Sequence, residues 1–178
     1  GYYGGKVDGV IMRLADVVLA FPSLLLAMVV MYILGGTLLN LFIALSIINW
    51  AGTARVVRAQ TLALKEKEFI EAARSMGVSR TKIMFRHILP NSLAPVLVPV
   101  TFGIAAAILV ENALRFLGLG DTSSPSWGSL LNEGQRNLEM WWLITFPGTA
   151  IFLTVLAYNL IGEGLQEATD PRLREGAK

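Results

Sequence analysis

Residues 71–90 read Glu71-Ala72-Ala73-Arg74-Ser75-Met76-Gly77-Val78-Ser79-Arg80-Thr81-Lys82-Ile83-Met84-Phe85-Arg86-His87-Ile88-Leu89-Pro90. They belong to a basic island, Arg55 to His87, that holds eight Lys/Arg against three Glu. Long apolar runs lie on both sides. Glu66 to Met76 is rich in strong helix formers and lacks Gly and Pro, which predicts a helix. Phe69, Ala72, Ala73 and Met76 recur at i, i+3, i+4 and i+7, a narrow apolar stripe. Its two alanines leave room for another backbone to approach. Glu71 and Arg74 form an i, i+3 pair. Gly77 stands where a helix end needs a left-handed residue, and Val78 can fold back onto Ala73. Ser79 can cap a second helix through Ile83 and Met84. Pro90 is expected to end that helix and start the next element.

The surroundings place this helix–turn–helix at a membrane. The chain has 178 residues, enough for one domain, and is 54% hydrophobic and 16% charged, against roughly 25% charged for a soluble domain. Four runs are long enough to cross a bilayer: 14–34, 38–54, 93–117 and 141–161. Pro22, Asn49, Pro95, Pro99, Glu111 and Pro147 interrupt them. Prolines inside spans argue for a packed bundle, where neighbours re-satisfy freed carbonyls. Gly35-Gly36-Thr37 allows only a tight antiparallel hairpin.

If the spans alternate, thirteen of the fifteen Lys/Arg fall on one side. By the positive-inside rule the N-terminus, the island (55–90) and the C-terminus are cytoplasmic. The outer segment 118–140 is mildly acidic, with Asp121, Glu133 and Glu139. Its Trp127, Leu130, Leu131 and Leu138 predict a short helix lying on the bilayer surface. Trp141 and Trp142 mark the interface. The chain starts without Met. Lys6 and Arg13 before an apolar run could mimic a signal peptide, but the run 14–34 is too long for one. The expectation is a start inside a larger protein. No cysteine occurs, so disulfides and thiol chemistry are excluded and the redox compartment is not readable.

From these residues alone, two readings of the island stand side by side. It is a docking element for a cytoplasmic partner, or a solvated loop packed on its own bundle. A resemblance favours the first. Glu71-Ala72-Ala73, three residues, Gly77, then Leu89-Pro90 resembles the EAA loop of ABC-importer permeases. One position departs, since His87 stands where the pattern has Ile and Ile88 follows it. His-Ile-Leu-Pro-Asn is similar to the peptide and nickel branch. So are Ala20-Phe21-Pro22-Ser23, Phe116-Leu117-Gly118-Leu119-Gly120, Pro125-Ser126-Trp127-Gly128 and Asp170-Pro171-Arg172-Leu173.

The resemblance implies an all-α polytopic permease, similar to type I importers, in a bacterial or archaeal inner membrane. It implies that 55–90 carries a coupling helix seated in an ATP-binding subunit. Glu71 and Gly77 would carry most of that role, with Ala72, Ala73, Arg74 and Met76 lining the contact. It further implies two ATP-binding subunits with ATP and Mg, a sister permease, and an extracytoplasmic binding protein touching 118–140. The cargo would be di- or oligopeptides, or alternatively a nickel chelate. Two further spans are expected before this chain.

Other chemistry is thinly represented. No Gly-x-x-x-x-Gly-Lys-Ser/Thr occurs, so ATP hydrolysis is expected on other subunits and no cofactor or metal on this chain. Gly118-x-Gly120 and Gly162-x-Gly164 lack the strand context of a dinucleotide site. His87 is the only histidine, and no catalytic set is visible. The island lacks the exposed aromatics of a nucleic-acid binder, though it can attract anionic lipid. Glu111 is the notable intramembrane charge. It belongs either to a translocation path or outer gate, or to a helix-holding pair with Arg115. Asn49, Asn112 and Asn159 line a cavity or pack. Gly103-x-x-x-Ala107 reads as helix packing. A passive channel subunit and an intramembrane enzyme remain the rivals from other classes.

Overall fold

The computed structural model describes residues 1–120 and 124–169. Asp121 and the motif Asp170-Pro171-Arg172-Leu173, with its share of the C-terminal basic residues, lie outside the described residues.

Helices account for nearly all of the described chain. They are α1 (Gly5–Leu19), α2 (Ser23–Leu34), α3 (Leu38–Lys65), α4 (Glu68–Ser75), α5 (Arg80–Ile83), α6 (Leu89–Phe116), α7 (Trp127–Arg136) and α8 (Trp142–Thr169). A π-helical turn, Met84–Ile88, joins α5 to α6. Helix α6 is the hub and packs against α8, α3, α7 and α2.

Three helices are long and apolar enough to cross a membrane alone: α3, α6 from Pro95 onward, and α8. The apolar run 14–34 falls in a bent pair of helices that together are long and apolar enough for a fourth span. It breaks at Ala20–Pro22, and α1 and α2 meet at 90°. The break is local chemistry. Proline has no N–H to continue the ladder and pushes Phe21 away from the helical region.

The second apolar run, 38–54, lies wholly within α3. The helix continues eleven residues beyond Ala54, to Lys65, another ~16 Å at 1.5 Å per residue. The island therefore begins as a helical stalk. Arg55 and Arg58 on it pair with Asp16 and Asp8 of α1, at 2.6 and 2.8 Å.

The hairpin between α2 and α3 forms as expected. Thr37 caps α3 by accepting the Asn40 amide at 3.2 Å, and the Asn40 side chain donates back to the Leu34 and Gly35 carbonyls. Ala27, Met31 and Leu41 of this hairpin close a small core on Leu114 of α6. Gly36 sits against the chain after α6, where an added Cβ would lie 2.9 Å from the Leu119 carbonyl.

The short helix expected in 118–140 forms as α7 and carries Trp127, Leu130 and Leu131. It is wedged between α6 and α8, and its two buried residues are Gly128 and Gly134. A Cβ on Gly128 would collide with the Asn112 carbonyl and lie 2.9 Å from the Asn112 Cα. Leu138 falls beyond the helix and is exposed. Likewise the close approach of α8 to α6 is made by Gly162, at Thr101 and Phe102, while Gly103 meets no atom within 4 Å. Glycine works here by removing side chains that would hold helices apart.

Only 11% of the most apolar window of α8 is buried. Such a surface needs lipid or other subunits around it. Polar groups on these faces satisfy themselves. The hydroxyls of Ser46, Thr149 and Thr154 each donate to the carbonyl four residues back, at 2.7–2.8 Å, as hydroxyls do in helices away from water.

Candidate functional site

The helix–turn–helix of the island is built largely as the sequence suggests. Helix α4 is short, with Glu68 and Glu71 in its first turn, where the exposed amides favour negative charge. Gly77 closes it at φ +75°. The Gly77 amide donates to the Arg74 carbonyl at 3.0 Å, and the Val78 amide to the Ala73 carbonyl at 3.1 Å. This is the Schellman closure, and it places Val78 on the core beneath Ala73. Ser79 occupies the cap position of α5, but its hydroxyl makes no capping bond.

The apolar stripe splits into two faces. Ala73 is buried with Ile70, Ile83 and Ile88, and Leu64, Val78 and Tyr2 pack around them. Phe69 and Met76 point outward, 47% and 76% exposed, with Glu71, Ala72, Arg74 and Gly77 also exposed. Ala73 therefore anchors α4 to its own bundle and is withdrawn from any contact lining. Ile70, Ile83 and Ile88 were missed from the sequence. The i, i+3 spacing of Ile70 and Ala73 was the available signal for the inner face. Among the described residues neither Glu71 nor Arg74 has a charged partner, so the expected pair does not form and both charges stay available.

Pro90 does not end the second helix. Arg80 to Phe116 forms one rod with the π turn inside it, and Pro90 lies in the first turn of α6, where a missing N–H costs nothing. Within the turn the Leu89 amide reaches back to the Met84 carbonyl, an i→i+5 bond. That spacing stacks Ile88 over Ile83, and both are buried. His87 is half-buried and its carbonyl accepts the Asn91 side chain at 2.6 Å. Among the described residues no group of three His, Asp or Glu could hold a metal.

At the opposite end of α6, Glu111 and Arg115 are joined, Oε1 to Nε at 2.5 Å, with the arginine 8% exposed. Arg115 also donates to the Ser124 carbonyl at 2.9 Å. The Glu111–Arg115 pair is therefore present as an i, i+4 contact within α6. Asn112 is buried, and its amide donates to the Ile108 carbonyl at 2.8 Å. Glu111 and Asn112 line an open cleft of about 440 Å³ with Ile108, Ser126, Trp127 and Leu130. Asn49 is not part of it and faces outward on α3.

Residues 1–175 match the family profile described as the inner membrane component of binding-protein-dependent transport systems. The dipeptide transport system permease protein of Alkalihalophilus pseudofirmus is 46% identical over 176 residues, which is 98% of this chain and 58% of that protein. The glutathione transport system permease protein of Pectobacterium atrosepticum is 45% identical over 176 residues, 98% of this chain and 58% of that protein. The oligopeptide transport system permease protein of Escherichia coli is 44% identical over 174 residues, 96% of this chain and 57% of that protein. The chain thus spans somewhat over half the length of these curated relatives.

Proposed function

Since the chain belongs to the family of inner membrane components of binding-protein-dependent transport systems, we propose that it is part of one half of the pore of an ATP-driven peptide importer. Its basic end faces the cytoplasm, and α4 is the element on which a separate ATP-binding subunit acts. ATP and Mg belong to that subunit, and this chain carries no ATPase motif. Peptide is the favoured cargo because the named relatives carry dipeptides, oligopeptides or glutathione. A sister permease, a second ATP-binding subunit and an extracytoplasmic binding protein complete the assembly.

The observation that carries this reading is the two-sided construction of α4. Its inner face, Ile70 and Ala73, is fixed to Ile83 and Ile88 at the foot of the α6 rod. Its outer face leaves Phe69 and Met76 uncovered between free charges. An amphipathic helix with an open apolar face fits a partner's groove. A push on α4 passes through that small core into α6, which supports a rigid-body gate.

A cysteine at Ala72 tests the contact. In the assembled importer, Ala72→Cys should crosslink to the ATP-binding subunit, with a yield that changes when ATP is added. Absence of any such crosslink, in a complex that still forms, sinks the docking role.

A further inference from the structure

Helix α1 is charged, breaks a span, and has no part in the docking proposed above. Helix α2 packs beside α3, and α1 meets α2 at 90°. A bilayer crossed by α2 along its normal would therefore hold α1 in its plane. Helix α1 crosses the stalk of α3 at the basic end, where Asp8 binds Arg58 and Asp16 binds Arg55.

These ion pairs sort the charges of α1. Both carboxylates are used on α3. Among the described residues the two cations, Lys6 and Arg13, have no such partner. At about 100° per residue, Val17, Val10, Leu14, Val7, Val18 and Ile11 follow one another around roughly 120° of the helix. Lys6 and Arg13 border this arc on the side away from α3. Five of its six apolar residues are exposed, among them Val7 at 71% and Val10 at 60%. Lys6, Gly9, Val10, Arg13, Leu14 and Val17 line a shallow groove of about 450 Å³.

We propose that α1 is an in-plane interfacial helix that binds anionic phospholipid, its apolar arc in the acyl boundary and Lys6 and Arg13 at the phosphates. A flat helix with one apolar arc and cations along its edge fits a bilayer surface. Charge complementarity selects the anionic headgroup. By holding anionic lipid against the foot of α3, the helix would bias the bend at Pro22 and with it the position of α2.

The chain has no cysteine, so Val10→Cys offers one fluorophore site on it. The intact permease, with its partners made cysteine-free, is placed in nanodiscs of phosphatidylcholine and phosphatidylglycerol. One lipid or the other carries brominated acyl chains as quencher. Brominated phosphatidylglycerol should quench more strongly, reflecting a local enrichment of about five-fold per cation at low salt. The preference should shrink as salt rises. Lys6→Gln with Arg13→Gln should leave quenching equal for the two lipids. Equal quenching in the parent protein overturns the proposal. So does no quenching by either lipid, which would mean that protein covers α1.

Discussion

Substitutions at Gly77 should grade the loss of coupling by backbone cost alone. A Cβ at this position meets no atom within 4 Å, so sterics with neighbours contribute nothing. What remains is φ +75° and the two closing bonds from Gly77 and Val78. Asparagine tolerates this conformation and should cost well under ~1 kcal/mol. Alanine should cost about 1 kcal/mol and valine about 2 kcal/mol, because left-handed backbone penalises a Cβ and penalises branching more. Proline cannot reach a positive φ and has no amide for the Arg74 carbonyl, so the closure is lost altogether, at ~3 kcal/mol or more. Hydrogen exchange at the α4 amides reads this directly, since 1 kcal/mol is about a five-fold rise in the open population. Uptake per ATP hydrolysed in proteoliposomes reads the consequence. Asparagine should stay near the parent protein, alanine should exchange several-fold faster yet still transport, and proline should hydrolyse without uptake. Equal exchange in the alanine and proline variants would refute the reasoning, because it would show that the turn does not hold α4 in place.

Two further changes probe the other end of the bundle. Gly128→Ala drives a Cβ into the Asn112 backbone and should destabilise by roughly 2–3 kcal/mol, while Gly103→Ala has open space and should be neutral or slightly stabilising. Thermal melts of the two in detergent should separate clearly, and coincident midpoints would contradict the packing of α7 on α6. Glu111→Gln removes the carboxylate from an arginine that is 8% exposed. The loss should be about 1–3 kcal/mol, below that of a fully buried pair because Glu111 is itself partly exposed. Reduced yield of assembled complex is expected, and unchanged assembly with slower uptake would instead put Glu111 on the transport path.

The features legible in the sequence were those decided within a few residues. Gly77 and the Gly35-Gly36-Thr37 hairpin declare themselves because the backbone they require is one that few residues adopt. The less legible features share one cause. Hydropathy reports where lipid can lie and is silent on where a helix stops or turns. Thus 14–34 is one apolar run although the helix bends by 90° around Pro22, and the apolar run 38–54 ends while α3 continues to Lys65. The inward turn of Ala73 and the contacts of Gly128 and Gly162 are tertiary. They depend on which neighbour arrives, and a small residue looks the same in sequence whether it admits a helix or faces lipid.

The wide turn at Met84–Ile88 has a consequence for the phase of the rod above it. One added residue rotates everything downstream in an ordinary helix by about 100°, and a five-residue turn absorbs such a residue without passing the rotation on. Deleting a single residue within this turn should therefore restore plain α geometry and leave Glu111 at its present azimuth relative to Gly77. The same deletion elsewhere in the rod would swing that carboxylate to another side of the bundle. The chain thus carries its tolerance for a length change at one spot, in the turn whose Ile88 supports α4.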